Sequence, residues 1–187
     1  MYVLDTSIYS KNLLSRVHYI GAFLVAQACA NSMVRRVQSQ QQSPASGQPR
    51  AIAGGSIVFT ASVWTHLISA GQTLSTYAAS KAAIRGLARP LAMELAKYGI
   101  RVNSLSPGPI MIGVLLEWKK TKPEAIRQLE SETMFGRLGG EEDLKGVILF
   151  LSSSASSWVT GQDLCVDGGS TAWKHPGVFK NEGHILL

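Results

Sequence analysis

The stretch YAASKAAIRGLARPLAMELAKYGIRVNSLSPGPI, residues 77–110, decides the fold. Its apolar residues recur at helical steps and predict a helix over about 76–98. Gly99 follows where a left-handed C-cap is expected. The segment IRVNSL, residues 100–105, predicts a strand that stops at the Pro-Gly-Pro of residues 107–109. A helix that leads directly into a buried strand is typical of a parallel α/β unit.

The same alternation of helix and strand continues on both sides of this stretch. Upstream, apolar steps of three and four residues predict a helix over 13–33, and SIVFTASV, residues 56–63, predicts a buried strand. Downstream we expect helices over 123–133 and 141–151, and a strand at DLCV, residues 163–166. The sequence therefore predicts an α/β fold on a doubly wound parallel sheet.

The chain has 187 residues, enough for one ordinary domain and short for two. Apolar residues make up 45% of the chain and charged residues 16%, which excludes wholesale disorder. The polar run VQSQQQSPASGQPR, which begins at Val37, cannot build a packed face, so we expect a flexible insertion over about 37–53.

Composition and residue spacing argue against several classes of protein. No uninterrupted apolar run reaches the length of a membrane span, and the first residues carry no basic run before an apolar block, so we expect a cytoplasmic protein outside the membrane. The net charge of +6 is scattered, which argues against nucleic-acid binding. The two cysteines and four histidines show no metal-binding spacing, so we expect no metal site.

The spacing of Tyr77 and Lys81 carries the first hint of chemistry. Residues four apart lie on one helical face, and an ammonium beside a phenol favours the phenolate. A phenol with an ordinary pKa near 10 is otherwise a poor acid or base at neutral pH. Ser62 lies at the carboxyl end of a predicted strand, where open α/β sheets bind ligands, and its hydroxyl can hold a substrate oxygen.

Four segments together resemble the short-chain dehydrogenase/reductase family, in its polyol- or sugar-reductase-like branch. They are GSIVFTAS at 55–62, the stretch 77–110, GRLGGEEDL at 136–144 and SSWVTGQDLCVDGG at 156–169. The resemblance implies a Rossmann-like sheet. It implies hydride transfer between a nicotinamide cofactor and a small-molecule carbonyl or alcohol, and of the two cofactors, NADP and NAD, it favours NADP. It also implies a homodimer or homotetramer, and a substrate pocket shaped by the variable residues at about 111–135.

The resemblance also implies roles for single residues. Tyr77 matches the catalytic acid/base, Lys81 the residue that lowers the pKa of that tyrosine and bonds the nicotinamide ribose, and Ser62 the hydroxyl that orients the substrate. The loop along the nicotinamide is matched by Pro107, Gly108 and Ile110, whose backbone is expected to contact the carboxamide.

Three positions depart from the family pattern. His18 stands where an asparagine completes the proton relay, and Ile112 stands where a threonine touches the cofactor. The sequence also contains no Gly-rich turn of the kind that seats a pyrophosphate. We therefore expect residues 1–187 to form one partial domain, the C-terminal portion of the fold without its first strands.

These departures leave a second hypothesis open. The chain is either an active oxidoreductase or a catalytically inactive, shortened member of the family that keeps only its dimerisation surfaces. The surfaces in question are the helices expected at 13–33 and 76–98, which form the subunit interface in that family.

Overall fold

The computed structural model describes residues 13–42, 54–69 and 74–173. Within these residues three parallel strands form one sheet in the order β1-β2-β3. The strands are β1 (Gly55–Thr60), β2 (Ile100–Pro107) and β3 (Asp163–Val166). All three predicted strands are present, and the parallel α/β class is confirmed.

Helices connect and flank the strands. They are α1 (Ala22–Gln42), α2 (Ser75–Leu95), α3 (Val114–Thr121), α4 (Pro123–Ser131) and α5 (Glu142–Ser152). A π-helical segment, Ser15–Gly21, leads into α1, and short 3₁₀ turns occupy Val63–Thr65, Ala96–Tyr98 and Ser154–Ser156. Gly99 has the expected left-handed conformation, with φ of 65°, and it turns the chain from α2 into β2.

Two helices differ from the sequence-based expectation. The first, α1, continues through Gln42, so residues 37–42 of the expected loop are helical, while residues 43–53 lie outside the described part. The reason is that Val37 is fully buried and the Arg36 guanidinium donates to the carbonyl of Gly54 at 2.7 Å, which fixes the end of the helix beside β1. The second, α3, was not predicted, because its eight residues show no extended period.

Helices cover both faces of the sheet. Ile57 and Phe59 of β1 pack with Ile100 and Val102 of β2 against α1 and α2. Alternate residues of a strand point to opposite faces. Their neighbours Ser56 and Arg101 accordingly face α5, and both donate to the Leu151 carbonyl.

The helices approach the sheet closely because small residues line their inner faces. Ala26 and Ala30 of α1 and Ala88 and Ala92 of α2 are buried in the core. A methyl group at these positions fills the space without holding the backbones apart. The two long helices thus lie side by side over β1 and β2.

One helix among the described residues, Ser15–Gln41, is long and apolar enough to cross a membrane by length and composition alone. Our expectation counted only uninterrupted apolar residues, and polar residues such as Gln27 and Asn31 interrupt this segment. Core helices of globular proteins meet the same criterion. Here Ala26 and Ala30 pack on the sheet, but only 11% of the span is buried, so most of its apolar side chains are not covered by the described residues.

Candidate active site

A cleft of about 540 Å³ lies at the carboxyl ends of β1 and β2. One side, which we call the polar floor, consists of Thr60, Ser62, Tyr77 and Lys81. The apolar side chains of the lining, which we call the apolar wall, are Trp64, Leu74, Ile112, Val114, Leu115, Trp118, Leu129 and Leu144. The loop of residues 107–110 also lines the cleft.

The cleft brings together seven of the eight residues singled out from the sequence. They are Ser62, Tyr77, Lys81, Pro107, Gly108, Ile110 and Ile112. The eighth, His18, does not line the cleft but reaches the floor from behind, against the ring of Tyr77. The strand ends and one face of α2 therefore meet, as expected for a parallel sheet.

Ser62 is held by the turn that follows β1. It is buried, and its hydroxyl accepts a hydrogen bond of 3.4 Å from the amide of Trp64. It thereby caps the 3₁₀ turn Val63–Thr65, and its backbone carbonyl accepts from the Thr65 hydroxyl at 2.9 Å. Local capping and burial together fix the direction of this side chain.

Tyr77 and Lys81 lie one turn apart on α2. The Lys81 ammonium is 5.9 Å from the centre of the Tyr77 ring and donates to the carbonyl of Thr60 at 2.9 Å. Burial lowers the pKa of Lys81 from its usual value, because desolvation disfavours the charged form. The cation is thus anchored to the strand end and lies beside the phenol ring.

His18 contacts the other side of Tyr77. Its ring stands nearly perpendicular to that of Tyr77, with the centres 5.8 Å apart. Its Nδ1 lies 2.9 Å from the hydroxyl of Ser80, which itself donates to the carbonyl of Tyr77 at 2.7 Å. A tautomer with the proton on Nδ1 lets His18 donate to the Ser80 hydroxyl while that hydroxyl donates to the Tyr77 carbonyl.

The surroundings of His18 also lower its pKa. Burial lowers the pKa of its imidazole, and the positive charge of Lys81 lowers it further. The π-helical segment Ser15–Gly21 carries this side chain, and π turns are often found at functional sites. Ser80 is a positioning residue that the sequence did not suggest, although its place one turn after Tyr77 was visible.

The loop of residues 107–110 is pinned to the closing strand. The amide of Gly108 donates to the Val166 carbonyl at 3.0 Å, and a Cβ at this glycine would lie 2.7 Å from the Cα of Asp167. Ile110 pairs with Gly139 through the backbone atoms of its two neighbours, so its own amide takes no part in that bridge. The loop is therefore held against the closing strand while it lines the cleft.

Asp167 holds the turn behind this loop. Its carboxylate accepts from the Gly169 amide at 3.0 Å, and from both the amide and the hydroxyl of Thr171 at 2.7 Å. Gly168 and Gly169 adopt positive φ values of 62° and 83°, which favour glycine. The Asp-Gly-Gly segment is thus a structural support for Gly108.

The apolar wall rests on a small core of its own. Ile126, Leu129 and Leu138 are buried together, and Trp64, Met111, Leu115 and Trp118 pack against them. This cluster joins α3 and α4 and is separate from the core under the sheet. The variable region of the sequence therefore builds one side of the cleft.

A second group of polar residues lies outside the cleft. Nε2 of His66 is 2.6 Å from the Asp163 carboxylate, and the Cys165 thiol lies within 4.8 Å of these groups. Such a donor set is one that zinc accepts. However, the guanidinium of Arg85 lies 2.9 Å from the ring nitrogens of His66 and already supplies the positive charge beside it. Hydrogen bonds within the group account for its arrangement.

Comparisons with known proteins show what the chain is similar to. The family model described as Enoyl-(Acyl carrier protein) reductase matches residues 3–171. L-rhamnose 1-dehydrogenase (NAD(P)(+)) from Sphingomonas sp. (strain SKA58) is 35% identical over 82% of the chain and 54% of the relative. Galactitol 2-dehydrogenase (L-tagatose-forming) from Cereibacter sphaeroides is 34% identical over 84% of the chain and 55% of the relative.

A solved structure is similar in fold and sequence. Gluconate 5-dehydrogenase from Burkholderia cenocepacia J2315, in complex with NADP and tartrate, superposes with a TM-score of 0.78 at 32% identity, over 93% of this chain and 61% of that one. The chain spans about half the length of the curated relatives it matches. By its sequence and its fold, the chain belongs to the short-chain dehydrogenase/reductase family.

Proposed function

We propose that the protein is an NAD(P)-dependent oxidoreductase that interconverts a carbonyl and an alcohol, with Ser62, Tyr77 and Lys81 as its catalytic residues. The observation that carries the proposal is the polar floor. A phenol, a hydroxyl and a partly buried ammonium line one cleft at the carboxyl ends of two parallel strands. This is the set of groups that protonates and orients a carbonyl oxygen.

The residues present fit the nicotinamide end of the cofactor. The loop of residues 107–110 is held against the closing strand and leaves the cleft open between itself and Tyr77. The amide of Ile110 takes no part in the bridge to Gly139 and is suited to donate to a carboxamide. Lys81 uses one of its three donors on Thr60, so two can reach ribose hydroxyls. When bound, NADP or NAD supplies or accepts the hydride.

The remaining steps belong to the side chains. The Ser62 hydroxyl holds the substrate oxygen, and the Tyr77 hydroxyl gives its proton to that oxygen during reduction or takes it back during oxidation. Lys81 stabilises the phenolate that remains. His18 carries a proton on Nδ1 toward Ser80 and presents its ring to Tyr77, in the place where the family has an asparagine.

Names of relatives support this reaction class. The relatives named L-rhamnose 1-dehydrogenase and galactitol 2-dehydrogenase are 35% and 34% identical to the chain. The gluconate 5-dehydrogenase structure contains NADP and tartrate. A nicotinamide cofactor and a small carbonyl or alcohol are therefore proposed for this protein as well.

Substitution of Tyr77 by phenylalanine tests the proposal. The Tyr77→Phe change should lower the rate of NADPH oxidation with a carbonyl substrate by about 10²- to 10⁴-fold, because the proton donor is lost. Tyr98→Phe, in the 3₁₀ turn after α2, is the matched control and should keep the rate. Full carbonyl reductase activity in Tyr77→Phe would refute the proposed role.

The second hypothesis, an inactive protein that keeps interaction surfaces, is favoured by a different observation. Leu24 and Val25 of α1 and Met93 of α2 are exposed apolar side chains. We propose that these helices form a homodimer or homotetramer interface. A dimer in sedimentation experiments, together with no NADH or NADPH binding in calorimetry, would favour the inactive protein over the enzyme.

We also propose that the protein acts in the cytoplasm, without a nucleic-acid or membrane partner. The scattered positive charge and the packing of α1 on the sheet support this proposal. Recovery of the full-length protein in the membrane fraction after cell lysis would contradict it.

A further inference from the structure

We infer that the cleft takes a carbonyl compound with an apolar body, in contrast to the sugars and polyols for which similar proteins are named. This inference rests on the proposed function, since it concerns the substrate of the same site. It comes from the chemistry of the apolar wall and from the state of the polar groups on the floor.

The wall offers almost nothing to a hydroxyl group. Its described residues are aliphatic or aromatic, and the indole N–H groups of Trp64 and Trp118 are the only side-chain donors among them. No described wall residue has a side-chain carbonyl, hydroxyl or carboxylate that accepts a hydrogen bond. Each hydroxyl of a polyol both donates and accepts, so several would lose their partners on entering.

The polar groups of the floor are few. The Lys81 ammonium is bound to the Thr60 carbonyl, and its remaining donors are assigned above to the ribose of the cofactor. The Ser62 and Tyr77 hydroxyls serve one substrate oxygen. Among the described floor residues this leaves the Thr60 side-chain hydroxyl for a second substrate hydroxyl, and a polyol carries more of them than that.

The charged side chains nearby do not line the cleft either. Glu117, Lys119 and Lys120 belong to α3, but none of them is among the lining residues, whereas Val114, Leu115 and Trp118 of the same helix are. The Lys122 ammonium lies 5.2 Å from the centre of the Trp118 ring. The helix thus presents an apolar side to the cleft and charges elsewhere.

These observations set the direction of selectivity. A buried polar group without a partner costs roughly tenfold or more in affinity, whereas each apolar group that leaves water gains affinity. A ketone with a ring or branched alkyl body keeps its single oxygen on the floor and places its carbon atoms against Trp118 and Leu129. A polyhydroxylated ketone of similar size loses affinity on the same surface, because its hydroxyl groups lack partners there.

A binding experiment tests the inference without turnover. Cyclohexyl methyl ketone and L-sorbose, a polyhydroxylated ketose that is mainly a cyclic hemiketal in water, are titrated into the full chain and followed by ligand-observed NMR. The cyclohexyl ketone should bind at least about tenfold more tightly. Equal binding, or tighter binding of sorbose, would overturn the inference.

Two variants locate the preference on the wall. Trp118→Ala should weaken binding of the cyclohexyl ketone about tenfold, while Trp158→Ala, at a tryptophan that is 98% exposed and outside the cleft, should leave it unchanged. Val114→Thr adds a hydroxyl of similar size at a site that is 62% exposed, so folding is little affected. Val114→Thr should reduce the difference in affinity between the cyclohexyl ketone and sorbose. Its control is Leu116→Thr, since Leu116 does not line the cleft.

The outcomes separate this inference from the proposed function. Turnover that depends on Tyr77 but prefers sorbose would overturn the apolar substrate and leave the oxidoreductase intact. A preference for the cyclohexyl ketone in binding, with turnover that is indifferent to Tyr77→Phe, would support the apolar cleft and refute the proposed chemistry. Loss of the preference in Trp158→Ala as well as in Trp118→Ala would also overturn the wall as its source.

Discussion

The two sides of the cleft are built in different ways. The polar floor comes from strand ends and one turn of α2, and hydrogen bonds to backbone atoms fix Ser62 and Lys81 there. The apolar wall comes from short helices that pack on a small separate cluster around Leu129. In the proposed enzyme, reaction chemistry is therefore tied to the sheet, whereas the shape of the substrate pocket is tied to a part that can change independently.

The polar floor and the apolar wall rest on separate cores, so substitutions in them should have different effects. Substitutions in the wall act on the cluster of Ile126, Leu129 and Leu138, which does not include sheet residues. Substitutions in the floor act on groups that join β1, β2 and α2. We therefore expect wall variants to change binding and local stability, and floor variants to change the rate of the reaction.

The largest effect on stability is expected in the wall. Leu129 is 2% exposed, and Leu129→Ala leaves a cavity in the small cluster, which should cost about 2 to 5 kcal/mol in the free energy of unfolding. The control is Leu116→Ala. Because Leu116 is 50% exposed on the neighbouring helix, its truncation should lower the free energy of unfolding much less. Urea unfolding measures both. Equal losses would show that the wall has no core of its own.

A smaller loss is expected beside the floor. In Gly108→Ala the new Cβ would lie 2.7 Å from the backbone of Asp167, so the loop has to move, at a cost of about 1 to 3 kcal/mol. Gly86→Ala on α2 is the matched control, since no atom lies within 4 Å of its Cβ position and alanine favours a helix by about 0.5 to 1 kcal/mol. If Gly108→Ala unfolds in urea like the wild type, the loop is not pinned as described.

The smallest effect concerns His18 and its dependence on pH. Its pKa in the folded state lies below the ordinary value of 6.5, so the unfolded chain binds the proton more readily. The stability that neutral His18 contributes is present above pH 6.5 and is lost as the pH falls through the lower folded pKa. Asparagine does not bind a proton in this pH range, so the His18→Asn variant does not lose stability in this way as the pH falls.

The stability difference between wild type and His18→Asn should therefore change only below pH 6.5, in favour of the variant. Since His18 is partly exposed, solvent limits the change to about 1 kcal/mol or less. Urea titrations on both sides of this pH measure it. A difference that is constant across that range would contradict the neutral imidazole beside Lys81.

The polar floor could be predicted from the sequence because it depends on regular spacing. Tyr77 and Lys81 share a face of a long helix, and Ser62 and Gly108 follow strands whose carboxyl ends must meet in a parallel sheet. Gly99 likewise marked the end of α2, and its left-handed conformation is confirmed.

The wall could not be predicted in the same way. The helix α3 has eight residues, and whether Val114 or Leu116 faces the cleft depends on how it packs on α4 rather than on any period. The contact of His18 with Ser80 joins residues 62 apart in the chain, and no local pattern indicates it. The helical state of residues 37–42 depended on burial of Val37 against distant residues.

The most direct test of the account compares kcat and KM for the two sides of the cleft, with NADPH and cyclohexyl methyl ketone as substrates. Tyr77→Phe should lower kcat at least about 10²-fold with little change in KM for the ketone, because it removes an interaction of the transition state. Trp118→Ala should raise KM about tenfold with kcat nearly unchanged, because it removes binding common to ground and transition states. If both variants change the same parameter, or if neither changes either one, the division of the cleft into a reacting floor and a binding wall is wrong.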